Sequence, residues 1–572
     1  MRYIAVILFL SIFIKSNAQT ITFNKFLYDT IPNPILNVVS TDMGYVIVGP
    51  ELGNNNTQNI KITFVDLYGN KVSSKTISKD SVDFICGSQN SLIKTIDGGY
   101  VLAGSKKDYL AATNSSLLIK FDNNFDTLWT KTFLTDSLFV HTSQCVQTND
   151  GGFALVGSKR TDNNDSESLL IRTDNFGNML WYKLYNDSAD ASYRISKSFD
   201  GGFVLGGETT RQYPFGDWRV IKVDSIGNVK WSKIIGSPNY YDNWIIGLIT
   251  TKDSGYVMSG GYGVSELDNH FNQKSRILKL NNEGEIVWDK KYFEPFYDAD
   301  SMYVDTNSSV FMSVIEDIDK NLYVTGTKNN NQRTYSKLYK LNPQGDSLWS
   351  REYQVPENVG NVYLNVLKKV NTGIIMAGYG YINDSSSIPQ AFLVKTNCIG
   401  FDSPPLSNYT FSINNNIVNF NNLSQKVDSC VWDFGDGSPF LYSHICDSVS
   451  HTYSDTGSYS VSLVAYNACT VADNDTIIKS INIESLKVEE ISFNNSELSI
   501  YPNPSNAQIT IKSTNEPIET IVIYNSIGVK IDNIILNNNS ASYIYNFNNI
   551  SGLYLIKVKT KKNQYYRKIV FR

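Results

Sequence analysis

Asp150-Gly151-Gly152-Phe153-Ala154-Leu155-Val156-Gly157, continued by Leu170-Ile171-Arg172-Thr173-Asp174-Asn175-Phe176-Gly177-Asn178-Met179-Leu180-Trp181-Tyr182-Lys183, carries two glycine turns between apolar runs. Asp-Gly-Gly and Asp-x-x-Gly are tight-turn chemistry, because glycine supplies the positive φ that hairpin turns require. The segments flanking both turns are short, β-branched and aromatic, so the unit reads as two hairpins, or four antiparallel strands.

The unit repeats along the chain. Its first phrase returns at Asp97-Gly98-Gly99-Tyr100, Asp200-Gly201-Gly202-Phe203 and Asp253-Ser254-Gly255-Tyr256, with weaker copies around Tyr45, Leu322 and Ile374. Aligned on positions 45, 100, 153, 203, 256, 322 and 374, the steps are 55, 53, 50, 53, 66 and 52 residues. Four antiparallel strands at that period make a propeller blade, and seven copies predict a seven-bladed β-propeller over residues 19–402. A tryptophan recurs after the second turn as Trp129, Trp181, Trp231, Trp288 and Trp349, whereas Ser73 holds that place in the first copy. The seventh copy ends at Cys398-Ile399-Gly400 without its Trp-x-Lys strand. Near the N-terminus, Ile21-Thr22-Phe23-Asn24-Lys25-Phe26 resembles the missing piece, so this strand is expected to complete the last blade and remove two open sheet edges.

Composition agrees with an all-β chain. Of the 572 residues, 13% are aromatic and only 18% charged, which favours pleated sheet over exposed helix. A 41% hydrophobic fraction with net charge -5 excludes a disordered chain and gives no nucleic-acid footprint. Met1-Arg2, the apolar run Ile4 to Ile14 and Ser16-Asn17-Ala18 read as a signal peptide over residues 1–18, and no later run is long enough for a transmembrane helix. The exported chain can form disulfides; at most one pair can form within Cys430, Cys446 and Cys469, and spacing does not say which.

Catalytic sets are thin. The four histidines, His141, His270, His444 and His451, fall in no His-Glu-x-x-His, and no Gly-x-Ser-x-Gly occurs, so a binding or structural protein is expected rather than an enzyme. A glycan-active enzyme assembling carboxylates from several blades is the alternative. No cofactor is expected. Asp317-Ile318-Asp319-Lys320-Asn321 starts like a calcium loop but lacks the later Gly and Glu and lies on the repeated turn, where the carboxylates shape the backbone.

In an up-down meander the tight turns share one face and the longer connections the other. Aromatic residues crowd the connections in one sector: Tyr213, Phe215 and Trp218, then Tyr240, Tyr241 and Trp244, then Tyr292, Phe296 and Tyr297 in the longest step. With Asp217, Asp242, Asp298 and Asp300 nearby, these rings suit a sugar, whose apolar face stacks on an aromatic while its hydroxyls bond carboxylates. The competing reading has the rings packing their own loops against the blades. An extracellular glycan or protein is the expected ligand.

Beyond Pro404-Pro405 the phrasing changes. Val431-Trp432-Asp433-Phe434-Gly435-Asp436-Gly437 followed by His451-Thr452-Tyr453 resembles the polycystic-kidney-disease (PKD) family, which implies an immunoglobulin-like β-sandwich over residues 406–484 with Asp433, Asp436 and His451 in structural roles. The last stretch, residues 491–572, contains Tyr501-Pro502-Asn503-Pro504 and Gly552-Leu553-Tyr554-Leu555-Ile556-Lys557-Val558 and runs to Lys568-Ile569-Val570-Phe571-Arg572. It resembles the type A C-terminal sorting domain of the type IX secretion system. That resemblance implies a small β-sandwich, the type IX machinery as partner, and a secreted or surface-attached protein of a Gram-negative cell. Residues 485–572 hold ten Lys/Arg against six Asp/Glu, net +4, leaving 40 against 49, net -9, in the rest.

Overall fold

The computed structural model describes residues 22–30, 37–53, 56–136, 139–160, 166–185, 190–212, 215–236, 240–265, 271–292, 309–329, 334–353, 359–370, 373–382, 389–443, 446–467, 474–484, 497–537, 539–547 and 551–572. The signal-peptide reading lies outside them. All named elements are strands, and among the described residues no helix is long and apolar enough to cross a membrane.

Residues 23–396 form seven antiparallel sheets. The third, which contains the Asp150-Gly151-Gly152 turn, is a plain meander of Val140–Gln147, Phe153–Arg160, Ser166–Thr173 and Met179–Tyr185. The seventh combines Val359–Val370, Gly373–Ile382 and Gln390–Thr396 with the N-terminal strand Phe23–Thr30, which pairs antiparallel to the last of these with Phe23 opposite Lys395 and Phe26 opposite Phe392. Phe23 and Leu27 share one core with Val38, Tyr45 and Ile47 of the first sheet and Val366 and Leu393 of the seventh, so first and last sheets pack together and close the ring. Across the centre, Arg194 of the fourth sheet donates to Ser88 Oγ at 2.7 Å and Gln89 Oε1 at 2.8 Å in the second, and to the Ile246 carbonyl in the fifth. Burial pushes this guanidinium down to about 10. This is a β-propeller.

The repeated residues weld neighbouring sheets. A Cβ built on Gly177, whose φ is 76°, would sit 2.6 Å from the Trp129 ring, so the turn glycine of the third sheet lies flat on the tryptophan of the second. The same seat recurs for Gly227 on Trp181, Gly284 on Trp231, Gly345 on Trp288 and Gly400 on Trp349, and Phe23 of the N-terminal strand takes the tryptophan's place under Gly69. Lysines two residues beyond these rings reach the same neighbouring turns: Lys131 to Asn178, Lys183 to Asn228, Lys290 to Asp346 and, at the closure, Lys25 to Asn70. The first copy, with Ser73, is the exception. There the next turn carries Phe125 where the others carry glycine, at φ 59° and 2% exposed, stacked on Tyr100 with centroids 4.3 Å apart. Tyr100 corresponds to Phe153, against which Trp129 packs, so Phe125 fills from one side the space that tryptophan fills from the other.

Residues 409–483 form two further sheets, of three and four strands, around Tyr409, Phe420, Trp432, Phe434 and Tyr453. A disulfide joins Cys430 to Cys446; Cys398 is also disulfide-bonded, and Cys86 and Cys145 are free and buried. Asn397 Nδ2 donates to the Asn467 carbonyl at 2.8 Å and Lys426 pairs with Asp402 at 2.7 Å, tying this sandwich to the end of the propeller within one compact unit. Residues 484–572 are a separate unit, a three-stranded and a four-stranded sheet around Ile509, Ile511, Ile521, Ile523, Ile556 and Phe571.

Candidate functional site

In the second to fifth copies the first turn is held by a buried cation. Lys120 bonds Asp97 at 2.7 Å, Arg172 bonds both Asp150 oxygens at 2.6 and 2.5 Å, Lys222 pairs with Asp200 at 2.9 Å and Lys279 with Asp253 at 2.5 Å. Partial burial alone would raise the Asp97 and Asp253 carboxyls, but bonds from the lysines and from Thr95 and Thr251 outweigh it and hold each down to about 2. The second turn is an Asx turn: Asp174 Oδ1 accepts the Phe176 and Asn178 amides at 2.9 and 2.8 Å, and Asp66, Asp224 and Asn342 do the same. Asp317 likewise accepts from the amides of Asp319 and Asn321, each at 2.8 Å, which is the turn role expected for the calcium-like spacing.

Between the third and fourth sheets, on the face carrying these turns, lies a groove of about 870 Å³. Leu180, Trp181, Phe203 and Ile226 give it an apolar wall; Thr148, Ser196, Ser198, Ser225 and Thr250 add hydroxyls, and the Asp150–Arg172 pair adds a charged edge. Hydrogen bonds from Thr148 and Arg172 keep the Asp150 carboxylate below its usual range, so it is an acceptor at neutral pH. Phe199 also lines the groove, and it is 66% exposed. Exposed apolar tips recur on other turns, as Ile96, Phe176 and Ile318, and Phe199 with the exposed Ile226 is the pair that borders this groove.

The predicted aromatic sector is placed only in part. Trp218 is fully buried between the fourth and fifth sheets, with the Arg276 guanidinium 5.0 Å from its ring centroid, so it has no free face for a sugar. Tyr292 is half-buried beside Phe311 and Tyr339, and its hydroxyl bonds the Gly345 carbonyl. Tyr185 and Tyr353 make the same bond to Gly227 and Gly400 at 2.9 and 3.0 Å, so Tyr292 belongs to the blade framework. Phe215, Tyr240, Tyr241 and Trp244 lie in strands, but their side chains fall outside the described residues, as do Tyr213, Phe296 and Tyr297 entirely. Phe199 and Ile226 are not singled out by the sequence, because apolar residues stand at the same turn tips in other copies, such as Ile96, Phe176 and Ile318.

In the sandwich, His451 Nε2 lies 2.7 Å from Asp436 Oδ2 and its ring stacks on Phe434 at 4.0 Å. Asp433 and Asp436 accept the amides of Gly435 and Ser438 at 3.0 Å each, and Tyr453 donates to the Phe434 carbonyl at 2.9 Å. The signature residues of this module build it.

Residues 407–478 match the PKD domain family and residues 499–572 the secretion system C-terminal sorting domain family. No curated protein matches the chain. Similar solved structures include a polysaccharide lyase at 9% identity, covering 68% of this chain and 94% of the other with TM-score 0.38. Others are an α-L-arabinanase of Penicillium chrysogenum complexed with arabinobiose at 10% identity, covering 67% and 98% with TM-score 0.36, and a Synechocystis apocarotenoid oxygenase mutant at 10%, covering 56% and 71% with TM-score 0.36. The chain thus joins a β-propeller to a PKD domain over residues 407–478 and to the C-terminal sorting domain of type IX secretion over residues 499–572.

Proposed function

We propose that the protein is a secreted or surface-attached binding protein whose propeller holds an extracellular glycan in the groove between its third and fourth sheets. The groove with Phe199 at its edge carries this reading. Its volume suits a short oligosaccharide, the exposed Phe199 ring offers a stacking surface, and the Ser225 hydroxyl and Asp150 carboxylate offer bonds to sugar hydroxyls. A binding rather than an enzymatic role is preferred because Asp150, the acid in the groove, is neutralised by Arg172 and kept ionised, which suits accepting hydrogen bonds and not donating a proton. The sorting domain supports export, and the sandwich tied to the propeller serves as a spacer.

The test is a glycan array probed with the full chain. Phe199→Ala is expected to weaken binding about 5- to 10-fold, the loss of one stacked ring. Ser225→Trp, which fills the groove from an exposed turn, is expected to abolish it. An array blank for the wild type, or binding indifferent to both changes, contradicts the proposal.

A further inference from the structure

The four-stranded sheet of the sorting domain buries one face and leaves the other open. Along Gly552–Thr560, Tyr554, Ile556 and Val558 point into the core, so the alternation of a half-buried strand calls for polar residues between them. Instead Leu553 and Leu555 alternate with Lys557. Pairing places Leu555 between Tyr524 and Lys568, and Lys557 beside Tyr566, whose ring centroid is 5.7 Å from its ammonium. Tyr524, Leu553, Leu555, Lys557, Tyr566 and Lys568 line a groove of about 400 Å³. Among the described residues neither Lys557 nor Lys568 meets a carboxylate. Lys559, next along this face, pairs with Glu519 at 3.4 Å, but the groove itself combines aromatic and aliphatic contact area with positive charge alone, the composition of a protein interface and not of a solvated sheet face.

We propose that this open face is where the sorting domain is read, by a partner protein of the type IX apparatus presenting carboxylates beside an apolar edge. The occupant follows from charge complementarity: this region carries net +4 while the remainder carries net -9, so an acidic reader selects the sorting domain from its own cargo. The inference rests on export by the sorting domain, and the experiment separates the two.

The full chain is expressed in a cell with type IX secretion, and the exported fraction is compared with the fraction retained in the periplasm. Wild-type export is expected; its failure removes the export reading itself. With wild type exported, Lys557→Glu with Lys568→Glu is expected to lower export at least 10-fold while the retained chain keeps its melting temperature. Lys557→Arg with Lys568→Arg is expected to export normally. So is Lys512→Glu with Lys561→Glu, an equal charge change off this face. If the reversed pair lowers the melting temperature, Lys557→Gln with Lys568→Gln carries the same expectation of lost export. Normal export of the Glu or Gln pair, equal loss in the off-face pair, or a purified wild-type chain that dimerises through these lysines would each overturn the proposal.

Discussion

Phe125 shows how much of this fold is decided by single side chains. It occupies a left-handed position that a non-glycine residue enters at about 1–2 kcal/mol, yet it buries a whole ring between the first and second sheets. Phe125→Ala is expected to destabilise the propeller by about 3–5 kcal/mol, as for other buried phenylalanines, by denaturant titration. Ser73→Trp with Phe125→Gly rebuilds the arrangement of the other copies and is expected to recover more than half of that loss, whereas Ser73→Trp alone clashes; additive effects would contradict the pairing. The turn carboxylates set a second expectation. Asp97 and Asp253 have folded values near 2, below their unfolded values, so their contribution is complete above about pH 4 and is lost as pH falls toward 2. Thermal melts should be flat from pH 5 to 7 and fall steeply between pH 4 and 2. Asp97→Asn with Asp253→Asn should flatten that fall.

At the scale of elements, the N-terminal strand is the closure. It supplies Phe23 under Gly69, Lys25 to Asn70 and antiparallel pairing to Gln390–Thr396 that is continuous from Phe23 to Phe26. Deleting residues 19–27 is expected to lower the propeller's melting temperature in one cooperative step; an unchanged melt would mean the ring does not depend on it. In the PKD sandwich, replacing Cys430 and Cys446 by serine opens a link of sequence separation 16 and is expected to remove about 3 kcal/mol from that module alone. The blades, their turns and this closure are legible in the sequence because each depends on local chemistry repeated many times. The groove is not, because it arises from the gap between two sheets and no repeat encodes a gap. Tyr292 is an intermediate case: it follows Trp288 by four residues, as Tyr185 follows Trp181 and Tyr353 follows Trp349, and that spacing assigns it to the framework. Trp218 has no such register, and only packing shows it buried.

For the whole molecule, the two faces of the propeller carry different information. The connection side holds most of the aromatic sector, whose described members, Trp218 and Tyr292, are packed. The turn side repeats its Asp-Gly-Gly and Asp-x-x-Gly phrases with exposed apolar tips in several copies, among them Ile96, Phe176 and Ile318, and at Phe199 and Ile226 such tips border the groove of about 870 Å³. The proposed ligand therefore sits on the turn face. Hydrogen–deuterium exchange of the full chain, with and without an oligosaccharide that it binds, tests this most directly. Protection confined to residues 146–150, 196–203 and 224–228 is predicted; protection at residues 240–244 and 292–297, with the turns unchanged, would contradict it.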